Sequence, residues 1–72
     1  MMPKIKYIVE DLENRKFFCA YEQEDRLQYA TFTKDVTSAA RFEDREEAEK
    51  QNMKLKEDGY DLRVIELKIL GE

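Results

Sequence analysis

Polar and apolar positions alternate from the first residues of the chain. In KIKYIVE, Lys4 to Glu10, one parity holds Ile5, Tyr7 and Val9 and the other holds Lys4, Lys6, Ile8 and Glu10. That period of two predicts a strand. DLENRK follows as a polar turn in which Asp11 and Asn14 bond their own backbone. KFFCAYE, Lys16 to Glu22, reads as a second strand, with Phe17, Cys19 and Tyr21 on one face and Phe18, Ala20 and Glu22 on the other. After the turn QEDR, LQYATFT (Leu27 to Thr33) carries the aromatic and β-branched residues of a third strand.

The period then changes. Asp35 is placed to cap one short turn, Val36 to Ala40, whose small residues allow close packing. Phe42 stands as an isolated aromatic among polar residues, which predicts an anchor inserted into the core. Asp44 is an N-cap, and Glu47 three residues later gives a capping-box pattern. The helix should run from Arg45 to about Glu57, with Gly59 as its left-handed terminator. Glu46, Glu47 and Glu49 lie in its first turns and Lys50, Lys54 and Lys56 in its later ones, in line with the helix dipole. Its apolar stripe is narrow: Ala48 and Leu55, with Gln51 and Asn52 between them and Met53 well to the side. In the last strand, YDLRVIELKI (Tyr60 to Ile69), the apolar parity changes between Val64 and Ile65. Such a change means a bulge or burial on both faces.

The predicted class is α+β in the order β-β-β-α-β. A three- to four-stranded, mostly antiparallel sheet carries one helix on one face. Short polar turns favour antiparallel neighbours, and the spatial order 4-1-2-3 follows. In that order the fourth strand returns parallel to the first after a helical crossover; its direction reverses if the third segment does not pair. Ile5, Tyr7, Val9, Phe17, Cys19 and Tyr21 serve the helix side, under Phe42, Ala48 and Leu55. Ile8, Phe18, Ala20 and one parity of the last strand are left on the opposite face. An apolar cluster there predicts a protein interface, with a partner protein or in a homodimer. Strand edges offer a second route, by strand addition.

Composition narrows the function more than it defines it. The 72 residues form a single domain, 1–72, too short to bury a large core, so a second subunit is the natural external support. Cys19 is alone and histidine is absent, which leaves no disulfide and no thiolate–imidazole metal shell. No Ser-His or Cys-His pair exists, and the two glycines, at 59 and 71, form no phosphate loop. Carboxylate pairs such as Asp11/Glu13 and Glu24/Asp25 fall in exposed turns, where nothing separates their pKa values. The chain therefore reads as no enzyme, with no cofactor, metal or small-molecule substrate. A net charge of −4 opposes direct nucleic-acid binding and attachment to anionic membranes. No apolar run exceeds Phe17–Tyr21, so neither a membrane span nor an export signal is expected. The lone thiol fits a cytoplasmic setting.

FTKDVTSAARFEDREEAE resembles a pattern found in very small phage and prophage proteins. In that pattern an aromatic strand is followed by T-x-D, A-x-x-F and an acid-rich helix opening with E-A. The matching positions are Thr33, Asp35, Ala40 with Phe42 close behind, Glu47 and Ala48, with Phe32 where tryptophan is frequent; the spacing departs slightly, since Phe42 follows Ala39 by three and Ala40 by two. The resemblance spans residues 28 to 50. It implies a sheet-plus-helix domain of phage or mobile-element origin and brings no catalytic residue with it. Two functions are then expected to compete. One is a small acidic protein-interaction module. The other is an acidic inhibitor mimicking nucleic-acid charge, using Glu43, Asp44, Glu46, Glu47 and Glu49. Mimicry requires that these acids share a face with Glu22, Glu24 and Asp25.

Overall fold

The computed structural model describes residues 4–69. Its elements are β1 (Lys4–Asp11), β2 (Lys16–Glu24), β3 (Leu27–Thr33), a 3₁₀ turn (Val36–Ser38), α1 (Arg45–Glu57) and β4 (Arg63–Ile69). The sheet has the order β3-β2-β1-β4, and every neighbouring pair is antiparallel. The fold is thus the expected α+β sheet with one helix, contacting β1 and β4.

The caps behave as local chemistry dictates. An Asp44 carboxylate oxygen accepts the Glu47 N–H at 2.8 Å, and Asp35 accepts the Thr37 N–H at 3.0 Å. At the other end of α1 the Tyr60 N–H donates to Leu55 O at 2.9 Å while Gly59 adopts φ +98°. That conformation carries little penalty only for glycine.

Two expectations about the sheet are corrected. The first concerns β4, which runs antiparallel to β1, from Glu10↔Arg63 to Lys4↔Ile69 without a register shift. The reason is an extra traverse. After β3 the chain does not pass straight into the helix. Ala40 N–H donates to Phe18 O at 3.0 Å, and Phe42 exchanges two backbone bonds with Tyr7, at 2.8 and 3.0 Å, in an antiparallel bridge. This segment descends along β1. Helix α1 starts beside Tyr7, climbs back, and leaves β4 to descend. Ala40–Phe42 has room because β1 and β2 pair only at Glu10↔Phe17 and Asp11↔Lys16 and then diverge. Phe42 fills the gap and packs against the core, as an anchor should.

The second correction concerns the faces of β2. Its register against β3 shifts between Phe18 and Ala20, so the bulge lies around Cys19 and not in β4. One extra residue inverts the parity of what precedes it. Phe18 and Tyr21, three apart, therefore both face the helix, while Phe17 and Cys19 face away. Phe18, Val9, Leu55 and Leu62 form the buried cluster, with Tyr21, Phe32, Phe42, Tyr60 and Val64 packed around it. Edge-to-face contacts from Phe18 to Tyr21 and Phe32, with centroids 5.4 and 6.2 Å apart, hold its rim. Along β4, Val64 packs on this cluster and the half-buried Ile65 takes the opposite face. Burial on both faces thus explains its change of parity.

Candidate interaction surface

The apolar patch expected from Ile8, Phe18 and Ala20 is not on the surface. Ile8 is fully buried opposite Ile65, Phe18 is 4% exposed in the core, and Ala20 is half-buried beside the bulge. On the face away from α1, the parity of β4 leaves Ile65, Leu67 and Ile69, all half-buried.

Four of the five acids around the helix start are engaged locally, while Glu47 contributes only its backbone N–H to the Asp44 cap and its side chain is exposed. Glu43 pairs with Lys6, Glu46 with Lys50 at 3.9 Å, and Glu49 with Arg45 at 3.9 Å; Asp44 is the cap. Arg45 also reaches Glu66 at 3.8 Å and lies over the Tyr7 ring. Glu22, Glu24 and Asp25 sit elsewhere, at the tip of the β2–β3 hairpin. Acids interleaved with Lys6, Arg45 and Lys50 at the helix start, and a second group on a separate hairpin, do not make a phosphate-like stripe.

Two carboxylates have lowered pKa values, and both are turn residues. The Asn14 side-chain amide holds Asp11 down, with further help from the Asn14 and Glu13 N–H groups and Lys16. The Thr37 hydroxyl does the same for Asp35. Tyr21 moves up because burial, then the nearby Asp58, disfavour its phenolate. None of the three is among the residues that line the cleft beside β4. That cleft, of about 380 Å³ between Leu12, Glu13, Asp61, Leu62 and Arg63, is open to solvent. Among the described residues no group of His, Cys, Asp and Glu is arranged to hold a metal ion, and no helix is long and apolar enough to cross a membrane.

The prominent feature is the β2–β3 hairpin. Its root is clasped by the helix end: Lys54 lies over the Tyr21 ring at 4.3 Å, and the Tyr21 hydroxyl donates to Asp58 at 3.3 Å. Beyond Tyr21 every residue from Glu22 to Tyr29 is exposed. The arm makes the molecule long, 46 × 22 × 20 Å, with a radius of gyration of 12.7 Å. A compact chain of this length would have about 11 Å. Leu27 is 72% exposed and Tyr29 is 45% exposed on β3.

Strand β3 is also an edge of the sheet, and its edge is bare of the usual protection. Natural edges are blunted by charge, proline or brevity. The other edge, β4, carries Arg63, Glu66 and Lys68. LQYATFT has no charge, glycine or proline over 7 residues, and it is the longest uncharged stretch in a chain that is 42% charged. The backbone groups on this edge can be identified. Phe18 O turns away from β3 to accept from Ala40, so Phe18↔Phe32 is a non-hydrogen-bonded pair. Phe32, Ala30 and Gln28 therefore point their N–H and C=O groups outward. The third strand is legible in the sequence, and its lack of charge is visible there too. That signal gains meaning only once β3 is known to be an edge.

No protein-family model, characterised protein or solved structure matches this chain.

Proposed function

We propose that this protein is a non-catalytic interaction module of a phage or mobile element, which binds a protein strand along β3. The observation that carries this reading is the uncharged, exposed edge on a projecting hairpin, in a chain whose other edge is charged. Strand addition draws its affinity from main-chain bonds and its selectivity from alternate side chains. Outward amides and carbonyls of Gln28, Ala30 and Phe32 supply the first. Leu27 and Tyr29, 72% and 45% exposed, supply the second. Acid mimicry is the weaker reading, because three of the five acids of the helix start are matched by Lys6, Arg45 and Lys50.

A photo-cross-linking residue at position 29, compared with one at Met53, tests this in the cells that produce the protein. Met53 is 64% exposed on the helix and serves as the control. Protein adducts are expected from position 29 and not from 53. Equal yields at both positions, or none at 29, would remove the β3 edge as the binding surface.

A further inference from the structure

We infer that the strand received by β3 is the β3 of a second copy, joined antiparallel about a two-fold axis into one continuous sheet. This rests on the reading of β3 as the binding edge. Three observations select a like strand.

The first is geometric. An antiparallel pair is self-complementary, so an isologous contact needs no second type of surface. Centring the axis on Ala30 pairs Ala30 with its own counterpart and Gln28 with Phe32 of the second copy. Because Gln28, Ala30 and Phe32 all point outward, this register uses every free group and forms about six main-chain hydrogen bonds. The second is electrostatic. A foreign acidic or basic strand would meet no complementary charge on LQYATFT; the net charge of −4 on each copy, and Arg26 facing Lys34 of the second copy just beyond each end, oppose the pairing and are outweighed by the seam. A neutral strand against a neutral strand avoids like charges inside the seam. The third is chemical. On the face away from the helix, the same register sets Leu27 against Thr33 and Tyr29 against Thr31 of the second copy. Aromatic and aliphatic groups opposite β-branched ones are favourable cross-strand pairs. The most exposed apolar residues of the arm thereby gain neighbours.

A strand seam buries less than a standard interface, so the dimer should be concentration-dependent, not permanent. Sedimentation over a wide dilution series tests it. The wild-type chain should pass from monomer to twice that mass as concentration rises. Ala30→Pro removes an outward N–H that β2 does not use, and edge strands tolerate that change. It should abolish the doubling and leave the circular dichroism spectrum unchanged. Tyr29→Lys, on an exposed side chain, should weaken association at least tenfold without touching the fold, and it decides the matter if the proline variant unfolds. A monomer at every concentration, or a dimer that survives Tyr29→Lys, overturns the inference. A monomeric wild-type protein that still gives adducts from position 29 leaves the edge as a binding surface and assigns it to a different protein.

Discussion

At the scale of single residues, Asn52 is the least expected feature of the core. It is 5% exposed, lies on the sheet-facing side of α1 between Ala48 and Leu55, and its Oδ1 has no partner. A buried acceptor left unpaired costs about 1–3 kcal/mol, and replacing it with an apolar group of similar shape recovers much of that. Asn52→Leu should therefore raise the urea midpoint, with a gain of about 1–2 kcal/mol. A loss would mean that the amide has a partner in solution, such as an ordered water. Gly59 makes the opposite case. Nothing lies within 4 Å of where its Cβ would be, so Gly59→Ala meets no clash. Its φ of +98° alone should cost about 1 kcal/mol in the same measurement. Acid sensitivity also belongs to named residues. Asp11 and Asp35 have folded pKa values below the usual 3.8, so their contribution is present above that value and lost as pH falls below it. With no histidine in the chain, stability should be nearly flat from about pH 5 to about pH 8. Asp11→Asn with Asp35→Asn should shrink the acid limb in thermal scans, and a slope appearing near neutrality would point to a different titrating group.

At the scale of elements, legibility divided along physical lines. The helix was readable to the residue because Asp44, the charge gradient and Gly59 are local signals that owe nothing to tertiary contacts. The spans of β1 and β3 were readable for the same reason. β2 was not, in the respect that matters for the interface. FFCAY is apolar on both parities, so alternation contains no information about which side is buried. A bulge at Cys19 settles that, and it is tied to the Ala40–Phe42 segment lodged beside it, where the Cys19 thiol donates to Ser38 O at 3.4 Å. The direction of β4 depends on the same insertion. Nothing in the residues themselves counts how many times a connection crosses a sheet. The corrected face assignment has a sharp consequence. Phe18→Ala should cost about 3–5 kcal/mol, the range for a buried phenylalanine. A chain of 72 residues has a total of about 4–11 kcal/mol to lose, so this variant should be unfolded or close to it at 37 °C. Leu27→Ala, at an exposed position of the arm, should change stability by less than about 0.5 kcal/mol. Comparable losses at both sites in denaturant titrations would show that the arm is folded into the core.

At the scale of the whole molecule, shape and charge act against each other. The projecting hairpin gives a neutral, adhesive edge on a body of net charge −4 with a pI near 4.9. Two such bodies with centres about 30 Å apart repel by about 2 kcal/mol without screening in water. With a Debye length of about 30 Å at 0.01 M salt, about 0.8 kcal/mol of that remains; at 0.15 M almost none does. Association through the β3 seam should therefore strengthen about fourfold as salt rises over this range. It should strengthen again as pH falls from 7 toward the pI near 4.9, where the net charge shrinks. An interface built on opposite charges behaves the other way, since salt screens the attraction that forms it. Sedimentation at two salt concentrations separates the two cases directly. A dimer that loosens with salt would take the interface away from LQYATFT and toward the ion-paired surface of α1. Tightening with salt would agree with a seam free of charge, held by backbone bonds between two copies of the most neutral segment in the sequence.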